Sequence, residues 1–178
     1  MRKVLYMFGL LSDIDVQWIA KAGVLKSLRD GDVVIHEGEQ TDALIFILEG
    51  ELNVSNLALG QFARMGVGEI VGEVSLVDSA PASATVTANG EGLALFLDKD
   101  VLLAKLAADN GFGSRFYRAL AVFLADRLRE ARRSSGKHSV GAAEIADDEL
   151  DVGILDRMSN AGDRFSQMLK TLSSHRPS

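Results

Sequence analysis

The chain has 178 residues, 47% of them hydrophobic and 25% charged, with a formal net charge of -6 and no cysteine. That length holds one domain of ordinary size with an appendage, and that composition is globular rather than disordered. The acidic balance argues against general nucleic-acid binding, and the lack of cysteine excludes disulfides, thiolate zinc sites and a cysteine nucleophile.

Met1, Arg2 and Lys3 open the chain, followed by an apolar run over residues 4–11. The run is short for a signal peptide and meets Ser12, Asp13 and Asp15 with no small-residue cleavage site. No segment approaches the ~20 apolar residues that span a bilayer, so a cytoplasmic protein with no membrane partner is expected. Residues 12–22 read as a helix. Ser12 caps it, Asp13 and Asp15 suit its positive end, and Gly23 supplies the stop.

From residue 24 to 98 the pattern changes to short apolar strands between turn residues. Strands are expected at 33–35, 43–48, 52–54, 84–88 and 93–97, with turns at 30–32, 37–39, 49–51, 66–68 and 89–92. Many short strands so closely spaced predict an antiparallel barrel, closed or of two sheets. A jelly-roll enzyme of the cupin type would share this density but supply clustered histidines, and the barrel holds only His36.

Helical patterning returns at 99–109, which Asn110 and Gly111 are expected to end. Residues 112–133 form a second, longer helix, with Phe116, Leu120, Phe123 or Leu124, and Leu128 on one face. The organisation is then a barrel domain at 1–133, a linker at 134–150 and an amphipathic helix at 151–174. In that last helix Leu155, Met158, Gly162, Phe165, Leu169 and Leu172 recur at spacings of three and four. Such a narrow seam packs on another helix or back on its own barrel. The apolar positions of 112–133 exceed what a small barrel would cover, so a homodimer through this helix or the tail is expected.

Residues 68–86, Gly-Glu-Ile-Val-Gly-Glu-Val-Ser-Leu-Val-Asp-Ser-Ala-Pro-Ala-Ser-Ala-Thr-Val, read as strand, glycine turn, one short helical turn, loop and strand. They resemble the phosphate-binding cassette of cyclic-nucleotide-binding domains, the family of the catabolite activator protein and protein kinase A regulatory subunits. Residues 31–39, Gly-Asp-Val-Val-Ile-His-Glu-Gly-Glu, resemble that family's first glycine-turned hairpin. Residues 47–54, Ile-Leu-Glu-Gly-Glu-Leu-Asn-Val, resemble its next strand pair, with Gly50 in the tight turn. The resemblance runs over about residues 10–132. It implies a mainly β fold, an antiparallel jelly-roll barrel with flanking helices, here with a C-terminal helical appendage. It also implies a stand-alone, non-catalytic module that takes cyclic AMP or cyclic GMP and needs no other cofactor.

Within the cassette the resemblance assigns roles residue by residue. Gly72 lets the backbone approach the ligand, and Glu73 accepts hydrogen bonds from the ribose 2′-hydroxyl. Val74 and Ser75 open a short helix whose free N–H groups face the phosphate. Ser83 and Ala84 add hydroxyl and backbone contacts, and Thr85 leads into the next strand. One position departs. The family runs Pro-Arg-Ser/Ala-Ala where this chain has Pro81-Ala82-Ser83-Ala84. Ala82 removes the cation that meets the cyclic phosphate, a loss of ~2–5 kcal/mol, or roughly 30-fold to a few thousand-fold in affinity. Cyclic-nucleotide binding is therefore expected to be weak or absent, with the hydroxyls of Ser75 and Ser83 recovering part of it. Glu73 then needs another donor, and Arg64 lies just before the cassette. Arg127 or Arg129 of the closing helix could reach back to replace the missing arginine.

Other motifs fail. Residues 66–72 approach a dinucleotide fingerprint with one residue too many, and no Gly-Lys-Ser/Thr follows for a P-loop. His36, His138 and His175 have no metal-ligand spacing, and the acidic run of Asp147, Asp148, Glu149 and Asp151 reads as a solvated face. No catalytic constellation is found, so an enzyme is not expected. The remaining chain is too short and acidic for a winged helix-turn-helix, so DNA is not an expected partner. Two functions remain: a regulatory module relaying occupancy through the closing helix to an unknown protein partner, or a degenerate barrel acting as a scaffold.

Overall fold

In the computed structural model, residues 7–136 and 152–173 are described. The expected linker beyond residue 136, His138, His175 and the acidic run through Asp151 lie outside them, as do the side chains of Leu155 and Met158. After a helical turn at residues 7–10 come α1 (Asp13–Ala22), β1 (Val24–Leu28), β2 (Val33–Ile35), β3 (Ala43–Asn56), β4 (Gly60–Met65) and β5 (Ile70–Val71). They are followed by α2 (Val74–Asp78), β6 (Thr85–Asp98), α3 (Lys99–Ala108), α4 (Asn110–Gly136) and α5 (Val152–Ser173).

All strand pairings are antiparallel, in the order β1-β6-β3-β4, with β2 added to β6 and β5 to β3. The sheet with its flanking helices is the barrel architecture that the strand density predicts. Two expected turns are not turns. β3 runs through Gly50 and β6 runs through residues 89–92 as strands of 14 residues each. The ladder between them shifts register at Ile47/Glu49 and at Glu49/Glu51. Gly50 has φ +82°, and a Cβ there would stand 2.6 Å from the Glu91 carbonyl oxygen. The glycine therefore bends a continuing strand at a bulge instead of reversing it.

Bending lets each long strand serve two cores. Leu44, Phe46 and Leu48 face the helices with Leu93, Leu95 and Leu97. Ile45, Ile47, Leu52 and Val54 face the barrel interior with Val86, Ala88 and Ala94. Both faces of residues 44–48 are buried, so the segment is continuously apolar rather than alternating. β1 and β4 escaped the sequence reading: both lie at the ends of the strand order and are largely exposed, so neither shows a sustained apolar pattern. The strand expected at the start of residues 68–86 is β5, only two residues long and buried on both of them.

Ser12 and Asp15 form a reciprocal capping box at the start of α1. Gly23 follows its end with an extended backbone, φ −82°. Its lack of a side chain serves packing, because a Cβ would lie 2.7 Å from Leu95. The break between α3 and α4 falls at Asp109, whose carboxylate accepts the Phe112 N–H at 2.9 Å. Asn110 and Gly111 thus open the next helix; they do not close the previous one. Phe112, Phe116, Ala119, Leu120 and Phe123 of α4 are buried in the chain's own core, and Leu124 packs against it. The surplus that suggested a dimer through this helix shrinks to Tyr117 and Leu128, which are exposed.

α5 docks on its own chain, against α1 and the turn at 7–10 rather than on the barrel. Ala161, Met168 and Leu172 are buried, with Phe165 and Leu169 packed beside them. Gly162, expected in the seam, is exposed, and Ala161 takes its place. Arg164 Nε donates to Asp13 Oδ1 at 2.6 Å, while Nη1 donates to the carbonyls of Leu11, Phe8 and Gly9 at 2.7, 3.2 and 3.3 Å. Among the described residues no helix is long and apolar enough to cross a membrane.

Met168 is 1% exposed, so Met168→Ala is expected to destabilise the fold by about 2–5 kcal/mol in urea unfolding. A change near zero would show that α5 contributes nothing to the core. A second outcome concerns Asp15, which is 3% exposed and paired with Arg115 Nε and Nη2 at 2.6 and 2.9 Å. Burial pushes its carboxyl up. The bonds from Arg115 and from the Ser12 N–H, with the Ser12 hydroxyl, outweigh that and hold it below its usual value. A carboxyl whose pKa is lowered on folding stabilises the protein above the unfolded value, and that contribution is lost as pH falls through the folded one. Arg115→Met should therefore lower the melting temperature most at pH 7, with the deficit shrinking toward pH 3. An equal deficit at both pH values would rule out a charge-dependent contribution.

Candidate functional site

The 68–86 segment folds as strand, glycine turn, short helix, loop and strand. Gly72 ends β5 with φ +85°, and a Cβ there would lie 2.6 Å from the Ala43 carbonyl oxygen and 3.2 Å from Thr41. Its conformation brings the backbone against the chain's own β3 entry, a close approach only glycine permits. Glu73 follows as the N-cap of α2, which ends at Ser79 in a left-handed conformation, φ 56°. The loop beyond is pinned to the 36–39 hairpin. Ala82 N–H donates to the Glu39 carbonyl and its own carbonyl accepts from Gly38 N–H, both at 2.8 Å.

A cavity of about 170 Å³ opens above this segment. Gly72, Glu73, Val74, Ser75, Ala82, Ser83 and Ala84 line it, with apolar walls from Ile35, Val54, Val71 and Val86. Thr85 does not line it: its hydroxyl accepts the Glu37 N–H at 3.1 Å and holds the hairpin instead. Phe62 of β4 and Thr41 also line it, and sequence reasoning missed both. Phe62 is 50% exposed, and the available sequence signal was an aromatic residue set among Gln61, Ala63 and Arg64. His36 is exposed and takes no part, and no metal-binding cluster occurs among the described residues.

Glu73 is only 2% exposed. Its partner is Arg127 of α4, whose Nη1 donates to Glu73 Oε1. The guanidinium also lies 5.6 Å from the centroid of the Phe123 ring and 4.0 Å from Met65 Sδ. Arg64 sits opposite Asn53 on the exposed edge strand, and Arg129 is exposed; neither reaches the cavity. The helical spacing that buries Phe116, Leu120 and Phe123 puts Arg127 on the same face, so the choice between Arg127 and Arg129 was present in the periodicity. Burial raises the Glu73 pKa above its usual value, the charges of Arg127 and Lys99 oppose the rise, and Glu69 adds to it. Lys99, absent from the sequence reading, is 8% exposed and donates through Nζ to Ser75 Oγ. Ser75 Oγ in turn donates to the Gly72 carbonyl at 3.3 Å.

The site thus offers one buried carboxylate, two serine side chains and apolar walls, with its arginine delivered by a helix instead of the cassette loop. Residues 25–109 match a family model described as the cyclic nucleotide-binding domain. The chain is 33% identical over 96 residues to a cAMP-dependent protein kinase type II regulatory subunit of Drosophila melanogaster, covering 52% of this chain and 26% of that protein. It is 34% identical over 110 residues to a cyclic AMP receptor protein of Thermus thermophilus, covering 57% of this chain and 47% of that protein. The chain therefore spans half or less of the length of these curated relatives. Among solved structures, a cyclic nucleotide-binding domain from Methylobacillus flagellatus superposes with TM-score 0.66 at 27% identity, covering 74% of this chain and 76% of that one. The Thermus thermophilus catabolite activator protein shares the fold, with TM-score 0.59 at 20% identity and coverage of 94% and 88%.

Arg127→Met is expected to cost about 3 kcal/mol in urea unfolding, because it leaves a buried carboxylate without its partner. Adding Glu73→Gln should restore most of that loss, since a neutral amide needs no counter-charge. Additive losses in this double-mutant cycle would mean that the two side chains are not energetically coupled.

Proposed function

Residues 25–109 belong to the cyclic nucleotide-binding domain family, and from that premise we propose a non-catalytic, cytoplasmic regulatory module that takes cyclic AMP or cyclic GMP and relays occupancy through α4 to a protein partner. The observation that carries this reading is the bond from Arg127 of α4 to Glu73. Glu73 is the residue that the family resemblance assigns to the ribose 2′-hydroxyl. A ribose in the cavity competes for the carboxylate oxygens that tether the helix, so occupancy and the seating of α4 are coupled through one residue. Ser75 and Ser83 present their residues to the cavity where the phosphate would sit. The outward face of α4, with Tyr117 and Leu128 exposed, is the surface that a partner or a second copy would read.

A second reading, a degenerate barrel that serves as a protein-interaction scaffold, is favoured by Ala82 and by the same ion pair. Arg127 satisfies the buried carboxylate from within the chain, so the fold needs no ligand to neutralise it.

Titration calorimetry with cyclic AMP and cyclic GMP separates the two. If an intact site binds near micromolar, the wild type is expected at roughly tens of micromolar to millimolar, and Ala82→Arg should tighten binding about 30-fold or more. Silence from the wild type with binding by Ala82→Arg would favour the scaffold with a retained pocket. Silence from both would overturn the sensor.

A further inference from the structure

We propose that Lys99 is the cation that this cassette uses for the ligand's phosphate, acting through the Ser75 hydroxyl. The inference rests on the cyclic-nucleotide reading and names the group that stands in for the arginine lost at Ala82.

Arg127 is not free for that task, because its guanidinium is committed to Glu73. Among the described residues Lys99 is a second cation beside the 68–86 segment, and its placement is costly in three ways. The residue is 8% exposed, so its ammonium is partly stripped of water. It is the first residue of α3, at the positive end of a helix, where a cation is disfavoured. Among the described residues no carboxylate lies within ion-pair distance of it, and its side chain donates to a single neutral acceptor, Ser75 Oγ. Burial accordingly lowers its pKa, with the charges of Asp42, Glu73 and Asp78 opposing from farther away. An ammonium has three protons to donate, and here one is used.

Ser75 connects this cation to the cavity. Its residue lines the wall, and its hydroxyl accepts from Lys99 on one side. The hydroxyl proton goes to the Gly72 carbonyl at 3.3 Å, a long bond to a neutral acceptor. A phosphate oxygen in the cavity is the stronger acceptor, and a hydroxyl turns to it by rotation about one bond. The result is a chain, Nζ–H to Oγ and Oγ–H to the anionic oxygen, in which each bond polarises the next. Lys99 is a positioning residue in this arrangement: it touches Ser75, and Ser75 touches the ligand. Gly72 and Val74 hold the same wall without charge, so the selectivity for an anion is carried by the lysine.

The test compares cyclic AMP with adenosine, which keeps the base and ribose but has no phosphate. Both are measured by displacement of a fluorescent cyclic AMP analogue from the wild type, Lys99→Met and Ser75→Ala, and again with Ala82→Arg added to each. Each variant is expected to weaken cyclic AMP about tenfold while leaving adenosine within about twofold. Equal losses for the two ligands would assign Lys99 a merely structural role, and an unchanged cyclic AMP affinity would also overturn the proposal. If thermal unfolding shows that Lys99→Met does not fold, Ser75→Ala decides by the same ratio. Cyclic AMP binding without the selective loss sinks the lysine alone. No cyclic-nucleotide binding by the wild type or by Ala82→Arg sinks the sensor reading together with it.

Discussion

A carboxylate that is 2% exposed must be neutralised, and in this chain the partner comes from 54 residues away. The Glu73–Arg127 pair is the constraint on which the rest of the site depends. It ties the cassette to the middle of α4 and so fixes where that helix lies over the barrel mouth. Phe123, one turn earlier, is buried in the core and supplies a ring face beside the guanidinium. The ion pair and the apolar packing of α4 are therefore one arrangement, and neither can move without disturbing the other.

The shape of the cavity does not depend on the missing arginine. The loop around Ala82 is held by its backbone, through two hydrogen bonds to the 36–39 hairpin. Gly72 is seated against the Ala43 carbonyl, and Thr85 secures Glu37. These contacts use groups that any residue but proline at position 82 would leave intact. What the substitution changes is the distribution of charge: one cation on α4 facing the carboxylate, and one on α3 behind the short helix. Fold and electrostatics are separable here, which is why the family resemblance could be strong while residues 81–84 depart from its pattern.

The helical layer is assembled by a different kind of polar contact. Arg115 of α4 grips Asp15 of α1 with two bonds, and Arg164 of α5 grips Asp13. Arg164 also caps carbonyls of Phe8, Gly9 and Leu11, which the short N-terminal helical turn leaves without helical partners. Around these bonds Phe8, Phe165, Met168 and Leu172 extend the core beyond the barrel. The C-terminal helix is thus integrated with the N-terminal one, and the elements that flank the barrel in sequence are neighbours in space.

Local patterns were enough for much of this protein. The capping box at Ser12, the strand at 33–35, the alternation of glycine turns and the short helix after Gly72 all follow from residues within a few positions of one another. The sequence by itself determined the barrel class, the strand, glycine turn, short helix, loop and strand of residues 68–86, and the absence of an arginine at position 82. Tertiary structure decided whatever depends on residues far apart. Gly50 and residues 89–92 read as turns, yet they lie opposite each other in one bent ladder, and only the partner strand settles whether a glycine reverses a chain or bends it. Glu73 announced its need for a cation, and the periodicity of α4 favoured Arg127 over Arg129, but only the packing of that helix brings Arg127 rather than Arg64 to the carboxylate. The seam of α5 showed that a helix face would be covered and could not name the cover. Burial, charge pairing and strand register are properties of two surfaces meeting, and one stretch of sequence specifies only one of the two.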